Sequence, residues 1–399
     1  MINRELYLSK IRPFYDSELV KVITGIRRCG KSTVMQQIIR ELQASGVTNT
    51  DILYINFEDY QYKNLCNPDL FYEYIKNWFT GSGKKYFLFD EIQNVTEFEL
   101  VINSFRATTD ASIFLTGSNS RLLSGELATH LTGRTVQFRI MPFNFKEYVE
   151  FQKFLGYEKP HEDMFADYIR WGGFPLVCKE QNEEVKKVIL SNIYDSIVLK
   201  DVIMRNKIAS PRALEKILEY VIANSSTTIS GNTIASVLSD KVLKISAPTV
   251  YDYLKYISDA CICDIVPRFD IRGKKILAFS EKTYVCDTGL FYLKKNRVKD
   301  EYNYIIETIC YNELISRGYS VYVGKTYKGE VDFIAQREDE KIYIQVAYLL
   351  ADESTVEREF GAFDVIQDHY PKYVISTDRI TLSRNGIIHI NLIDWLIGF

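Results

Sequence analysis

The residues with the most definite chemical meaning are Gly25-Ile26-Arg27-Arg28-Cys29-Gly30-Lys31-Ser32, a GxxxxGKS string followed by Thr33. Glycines in a turn accept backbone angles that a side chain forbids. Successive N–H groups can then point inward around an anion, helped by the positive end of a helix that starts at the lysine. Such a cradle suits nucleotide phosphates. Lys31 would reach the β and γ phosphates and Ser32 would ligate Mg2+, with Gly25 through Thr33 as the binding residues. Asp90 and Glu91 end the apolar run Tyr86-Phe87-Leu88-Phe89. Asp90 would hold Mg2+ through its water shell, and Glu91 would polarise the water that attacks the γ phosphate. A third run, Ser112-Ile113-Phe114-Leu115, ends in Thr116-Gly117-Ser118-Asn119. Ser118 or Asn119 could sense the γ phosphate or orient water, or could cap the segment that follows. Arg134, after Leu131-Thr132-Gly133, could stabilise transition-state charge on a neighbouring subunit's nucleotide or form a surface ion pair.

These groups need a scaffold that brings distant loops to one edge. The β-branched run Val20 to Thr24 precedes the glycine turn, and Val34, Met35, Ile38, Ile39 and Leu42 follow at helical spacing. A strand therefore ends where a helix begins. Ile52 to Phe57 reads as a second strand, with Glu58 and Asp59 at its end, and Asn67-Pro68-Asp69 caps a helix running to about Phe79. Another strand is expected at Thr135 to Ile140, and Glu5 to Tyr15 can form a short lead-in helix. This alternation predicts a parallel sheet covered on both faces, with ligands bound where the strands end.

A chain of 399 residues accommodates roughly two to four domains. Its 46% hydrophobic and 25% charged residues match soluble proteins, and a net charge of -3 neither demands nor excludes a nucleic-acid partner. The start, Met1-Ile2-Asn3-Arg4-Glu5, lacks a hydrophobic signal region, and no later run approaches the roughly 18 apolar residues that span a bilayer. A cytoplasmic protein without a membrane partner is expected. Seven cysteines without regular spacing fit reduced thiols, and Cys261 and Cys263, on an expected strand, would face one way as small core residues.

Beyond residue 150 the pattern becomes helical. Phe143 to Phe154 and Glu162 to Trp171 have helical spacing, and Glu183 to Arg205 reads as one long amphipathic helix with Val185, Val188, Ile189, Asn192, Ile193 and Ile197 near one side. Such helices would form a lid that turns γ-phosphate contacts into domain movement. Helices at Pro211 to Ala223, Ser230 to Leu238 and from Ser246, then strands at Cys261 to Arg268 and Lys274 to Phe279, follow the order of a winged helix-turn-helix. Its third helix would present Thr249, Tyr251, Asp252 and Lys255 to a groove, and Arg272, Lys274 and Lys275 would meet phosphates. Residues 205–282 hold 12 Lys and Arg against 8 Asp and Glu. That modest surplus leaves DNA and protein both open as partners.

Gly-Ile-Arg-Arg-Cys-Gly-Lys-Ser, Phe-Leu-Phe-Asp-Glu-Ile-Gln, Leu-Thr-Gly-Ser-Asn-Ser, Leu-Thr-Gly-Arg and Met-Pro-Phe-Asn-Phe-Lys-Glu-Tyr occur in this order, followed by Trp171-Gly172-Gly173-Phe174-Pro175. Together they resemble a prokaryotic AAA+ ATPase family whose members carry a C-terminal domain of unknown function. The resemblance implies ATP and Mg2+ binding, a sensor at Ser118 or Asn119 and an arginine finger at Arg134, which in trans would require a homo-oligomer. The tail, a helix at Tyr302 to Arg317, strands at Ser320 to Val323, Glu330 to Gln336 and Lys341 to Val346, a helix from about Ser354 to Ile366 and a strand at Tyr373 to Ile375, resembles the restriction-endonuclease-like core. Glu307 and Asp332 match its acidic places, but Gln345 and Ala347 replace the expected Glu and Lys. An amide cannot supply the charge a hard cation favours, so, unless a lysine reaches in from elsewhere, a degenerate fold used for binding is expected. The expected domains are 1–150 (ATPase), 151–205 (lid), 206–282 (winged helix) and 283–399 (nuclease-like). Three functions follow in order of preference: an ATPase that moves its tail, possible on DNA; a nucleotide-switched binding module with little turnover; and an ATP-regulated nuclease.

Overall fold

In the computed structural model, which describes residues 2–79, 83–118, 131, 133–206, 208–239, 244–294 and 302–398, the apolar runs of the first third are strands. They are β1 (Val20–Thr24), β2 (Ile52–Asn56), β3 (Lys85–Asp90), β4 (Ala111–Gly117) and β5 (Thr135–Arg139). All pair in parallel, in the order β2-β3-β4-β1-β5. Every residue of β1, β3 and β4 is buried, which is why they read as continuous rather than alternating hydrophobic runs. Helices Lys31–Ala44, Pro68–Trp78 and Phe98–Thr108 connect them. Asn67 caps the second by accepting the N–H groups of Asp69 and Leu70. Phe57, Phe71, Phe87, Phe89 and Phe105 fill one core cluster, with Phe71 and Phe89 edge to face at 5.0 Å.

The chain divides into two units, one built from Asn3–Ile140 with Asp259–Cys261, the other from Met141–Ser258 and Ile262–Phe399. In the second, helix Phe145–Phe154 begins with a full capping box between Asn144 and Glu147. Helix Glu183–Ser196 buries Lys186, Leu190, Ile193 and Tyr194, whereas Val185 and Val188 are exposed. The buried stripe is therefore rotated from the expected one. The expected single helix also changes character, passing into a π-helical segment at Ile197–Ile203.

The Trp171-Gly172-Gly173-Phe174-Pro175 segment has a structural reason. The buried Asp287 carboxylate accepts the N–H groups of Gly173 (2.7 Å) and Gly289 (2.9 Å). Gly172 has φ +72°, and a Cβ there would lie 1.9 Å from Asp287 Oδ1. Only glycine lets the carboxylate approach. Burial pushes Asp287 up to about 7.

Helices Pro211–Ala223, Gly231–Leu238 and Ala247–Asp259 precede the antiparallel pair β6 (Cys263–Asp270) and β7 (Lys275–Val285). This hairpin is not free-standing. β6 pairs in parallel with β8 (Ser320–Lys325), so it joins β9 (Glu330–Arg337), β10 (Glu340–Val346), β11 (Lys372–Ser376) and β12 (Ile387–Asn391) in one seven-stranded sheet, ordered β12-β11-β10-β9-β8-β6-β7. The position between residues 282 and 283, where one domain was expected to end, falls inside β7. Pairing satisfies the backbone groups that a bare hairpin edge would expose. Elements that escape the sequence pattern include β12 and the helices Phe98–Thr108, Pro175–Lys179, Thr288–Lys294 and Leu392–Ile397. The strand containing Cys263 starts after Cys261, whose φ of +58° places it in a turn, so the same-face expectation for the pair does not apply. Both are buried. Among the described residues no helix is long and apolar enough to cross a membrane.

Candidate functional site

The parallel register decides which loops meet. Thr24 pairs with Gly117 on one side and Arg139 on the other, and Phe89 pairs with Leu115. The Gly25–Ser32 turn, the Asp90-Glu91 pair and Ser118 therefore all leave the sheet at one edge. Gly25 has φ +146°, and a Cβ there would meet the Ile140 carbonyl oxygen at 2.1 Å. Gly30, with φ +105°, stands at the start of helix Lys31–Ala44, where no side chain caps the first turn. The N–H groups of that turn are thus left to an anion. Arg28 has φ +70°, a left-handed conformation that costs energy in a non-glycine residue. Arg4, almost fully buried, braces the turn from below by donating to the Cys29 carbonyl at 3.0 Å. Arg27 pairs with Glu58 at 2.7 Å, and burial pushes the Cys29 thiol up, which keeps it protonated.

Lys31 is buried. Its ammonium donates to the carbonyls of Gly25 (3.0 Å) and Ile26 (3.2 Å) and lies 4.0 Å from Glu91 Oε1. Ser32 is exposed one residue on. Asp90 is fully buried and held on both oxygens: Tyr54 donates to Oδ2 at 3.1 Å, and the Thr116 hydroxyl donates to Oδ1. Burial and the Asp90 charge push the Tyr54 phenol up, so it remains a donor. The same Thr116 hydroxyl accepts the Glu91 N–H at 3.0 Å. Glu91 has φ +53°, and its Oε2 accepts from Gln93 Nε2. An exposed hydroxyl at Ser32 and an anchored carboxylate at Asp90 are the hard oxygen donors that Mg2+ takes.

Ser118 is buried at the end of β4, and Asn119 lies outside the described residues. Arg134 stands elsewhere. It immediately precedes β5, where its carbonyl accepts the Val20 N–H, and its side chain is exposed with Nη1 3.3 Å from Asn103 Oδ1. That is the opposite edge, about 15 Å from the glycine turn by strand rise. Arg139, level with Thr24, is the arginine that the register places at the glycine-turn edge. Sequence reasoning passed over Arg139, Thr116, Tyr54 and Gln93. Only Arg139 and Thr116 carried a usable signal, their position at the ends of expected strands.

In the second unit, Glu307, Asp332 and Gln345 line one cavity of about 620 Å3 together with Glu330, Arg358 and Glu359. Ala347 packs instead into the apolar cluster of Tyr343, Leu350 and Phe360. A lysine does reach the acidic residues, from β7: Lys282 Nζ lies 2.9 Å from Glu307 Oε1 and also pairs with Glu330. Tyr284 donates to the same Glu307 oxygen at 2.6 Å, Val346 N–H donates to Asp332 Oδ2 at 2.8 Å, and Gln345 Oε1 accepts the Asp332 N–H at 3.2 Å. Burial lowers Lys282, but the charges of Glu307, Asp332 and Glu330 prevail and hold it above the ordinary lysine range. Asp332 is pushed well up, first by burial and then by the Glu307 charge. In the region of the three helices and the β6–β7 hairpin, Tyr251, Asp252, Lys255, Arg272, Lys274 and Lys275 are exposed and Thr249 is half-buried, while the Tyr251 ring lies against Gly231.

A family model described as an AAA domain matches residues 17–149, and a domain of unknown function, DUF8612, matches residues 162–300. An uncharacterized protein of Haemophilus influenzae is 35% identical over 399 residues, covering all of this chain and 99% of the relative. An uncharacterized protein of Methanocaldococcus jannaschii is 32% identical over 376 residues, covering 91% of this chain and 81% of the relative. The solved structure of a Walker-type ATPase of Pyrococcus abyssi superimposes with a TM-score of 0.54 at 15% identity, covering 74% of this chain and 96% of that one, which is a likeness of fold. The chain belongs to one family with the two uncharacterized proteins, and its first third is an AAA domain with the P-loop fold.

Proposed function

We propose that the chain binds ATP with Mg2+ and hydrolyses it, and that its nucleotide state acts on the winged-helix and nuclease-like regions. The observation that carries this reading is the meeting, at one edge of a parallel sheet, of an uncapped helix start, a buried lysine and two carboxylates, with Lys31 4.0 Å from Glu91. Backbone N–H groups from Gly25 to Thr33 would hold the triphosphate. Lys31, now donating to two carbonyls of its own turn, would transfer its donors to phosphate oxygens. Mg2+, held by Ser32 and Asp90, would supply neutralisation of the developing phosphate charge. Glu91 would take the proton of the water whose oxygen bonds to the γ phosphorus as the bond to the β-γ bridging oxygen breaks, leaving ADP and phosphate.

Arg134 lies too far from its own glycine turn to serve it, so a finger role for Arg134 needs a second copy of the chain. The same observation favours the second reading, a switch that holds ATP with little turnover when alone. Nuclease activity is not part of the proposal, because Gln345 brings no charge where a hard cation needs one; Lys282, the lysine that reaches the acids from elsewhere, is held by Glu307 and Glu330. DNA is the proposed partner of the exposed Arg272, Lys274 and Lys275 and of the Ala247–Asp259 helix, in the cytoplasm.

The test is calorimetric titration with Mg-ATP, with turnover measured with and without duplex DNA. Lys31→Ala should lose nucleotide affinity, and Glu91→Gln should bind but not hydrolyse. Equal turnover in Glu91→Gln and wild type would remove Glu91 from the mechanism.

A further inference from the structure

Glu91 sits in a turn whose backbone is over-determined. Its N–H is taken by Thr116, its carbonyl accepts the Asn94 N–H at 3.1 Å, and Asn94 Nδ2 donates to the Phe57 carbonyl at 3.2 Å. Ile92 and Val95 anchor the same turn in the apolar core. With φ at +53°, the strained Glu91 backbone persists only because these contacts hold it. The consequence is that Glu91 and Gln93, two residues apart, meet side chain to side chain: Gln93 Nε2 donates to Glu91 Oε2. The other end of that amide, Oε1, is buried and accepts no hydrogen bond from the described residues. A buried amide oxygen without a donor is costly unless something outside the protein supplies one.

We propose that Gln93 is a positioning residue for the attacking water, a role that rests on the ATPase reading above. One arm of the amide fixes the Glu91 carboxylate, and the other accepts a hydrogen from the water that Glu91 deprotonates. Two acceptors side by side orient that water with its lone pair free to meet the γ phosphorus. The water's second hydrogen passes to Glu91 as the new phosphorus–oxygen bond forms, the bond to the bridging oxygen breaks, and ADP and phosphate leave.

The experiment compares wild type, Gln93→Met and Gln93→Glu by equilibrium binding of a fluorescent ATP analogue with Mg2+, thermal melting, and kcat and KM across pH. Gln93→Met keeps the length but neither polar atom, so kcat should fall at least about tenfold, while affinity stays within about twofold and the melt stays close to wild type. Gln93→Glu places a second carboxylate against Glu91, and like charges raise the titration of the pair, so the acid limb of kcat should move up by about one pH unit or more. A Gln93→Met protein with wild-type kcat, or with affinity and melt falling in step with kcat, overturns the role. So does an unmoved acid limb in Gln93→Glu. Binding without turnover in the wild type would overturn the ATPase reading itself, an outcome distinct from these.

Discussion

Replacing Thr116 with valine tests the organisation of the candidate site most directly. The side chain is fully buried, and its one hydroxyl joins the two carboxylate residues by accepting the Glu91 N–H at 3.0 Å and donating to Asp90 Oδ1. Valine preserves the branched shape and leaves both partners in place without a hydrogen bond. An unsatisfied buried N–H costs about 1–3 kcal/mol and a lost hydrogen bond to a charged group about 1.5–3 kcal/mol. A methyl group buries more favourably than a hydroxyl, which returns about 1 kcal/mol, while the Tyr54 bond to the other Asp90 oxygen is unchanged. A net loss of about 1.5–5 kcal/mol is expected, or at least roughly tenfold in the unfolding equilibrium. Urea unfolding followed by circular dichroism measures the total, and hydrogen exchange of the peptide containing Glu91 locates it, because that amide should lose protection. A double-mutant cycle with Asp90→Asn should give a coupling above about 1 kcal/mol. A Thr116→Val protein within about 0.5 kcal/mol of wild type, with unchanged exchange at Glu91, would refute the bridge.

Lys21 is fully buried, donating to Ser112 Oγ at 2.7 Å and the Ser17 carbonyl at 3.0 Å, and burial pushes its ammonium down to about 7. Between that value and the unfolded value of 10.5 the unfolded chain holds the extra proton, so stability should rise with pH across this window by up to about 1.4 kcal/mol per unit. Urea midpoints at pH 7 and 10 should show the rise in wild type and its absence in Lys21→Met; equal slopes would count against it. Gly172→Ala drives a Cβ into Asp287 and should cost about 3 kcal/mol or more, against about 1 kcal/mol for Gly156→Ala, where φ is +85° but nothing lies within 4 Å. Thermal melts that drop equally would reject the Asp287 contact. Lys282→Met strands the buried Glu307 carboxylate and should cost about 3–5 kcal/mol, and Lys282→Met with Glu307→Gln should recover part of it. A double variant no more stable than the single one would show that the ion pair is not what holds this cavity.

The parts of this protein that its sequence determines alone are those whose causes are local. The glycine turn after Val20–Thr24, the helix starts at Asn67 and Asn144, and the buried runs of β1, β3 and β4 each follow from a few neighbouring residues, through backbone freedom, capping or continuous apolarity. The parallel α/β sheet follows from their alternation. The tertiary structure alone decided which loops share an edge, because parallel strands acquire their register from pairing across long stretches of chain. It thereby placed Arg139, not Arg134, beside Thr24, and set Thr116 between Asp90 and Glu91 from 26 and 25 residues away. Lys282 likewise reached Glu307 across 25 residues because the β6–β7 hairpin pairs onto the tail's sheet. Gln93 is nearer still, yet only the left-handed backbone at Glu91 turns its amide onto the carboxylate, and no spacing rule encodes that turn. Hydrogen bonds between distant side chains need one geometry among many that a linear pattern permits, and packing of the whole chain selects it.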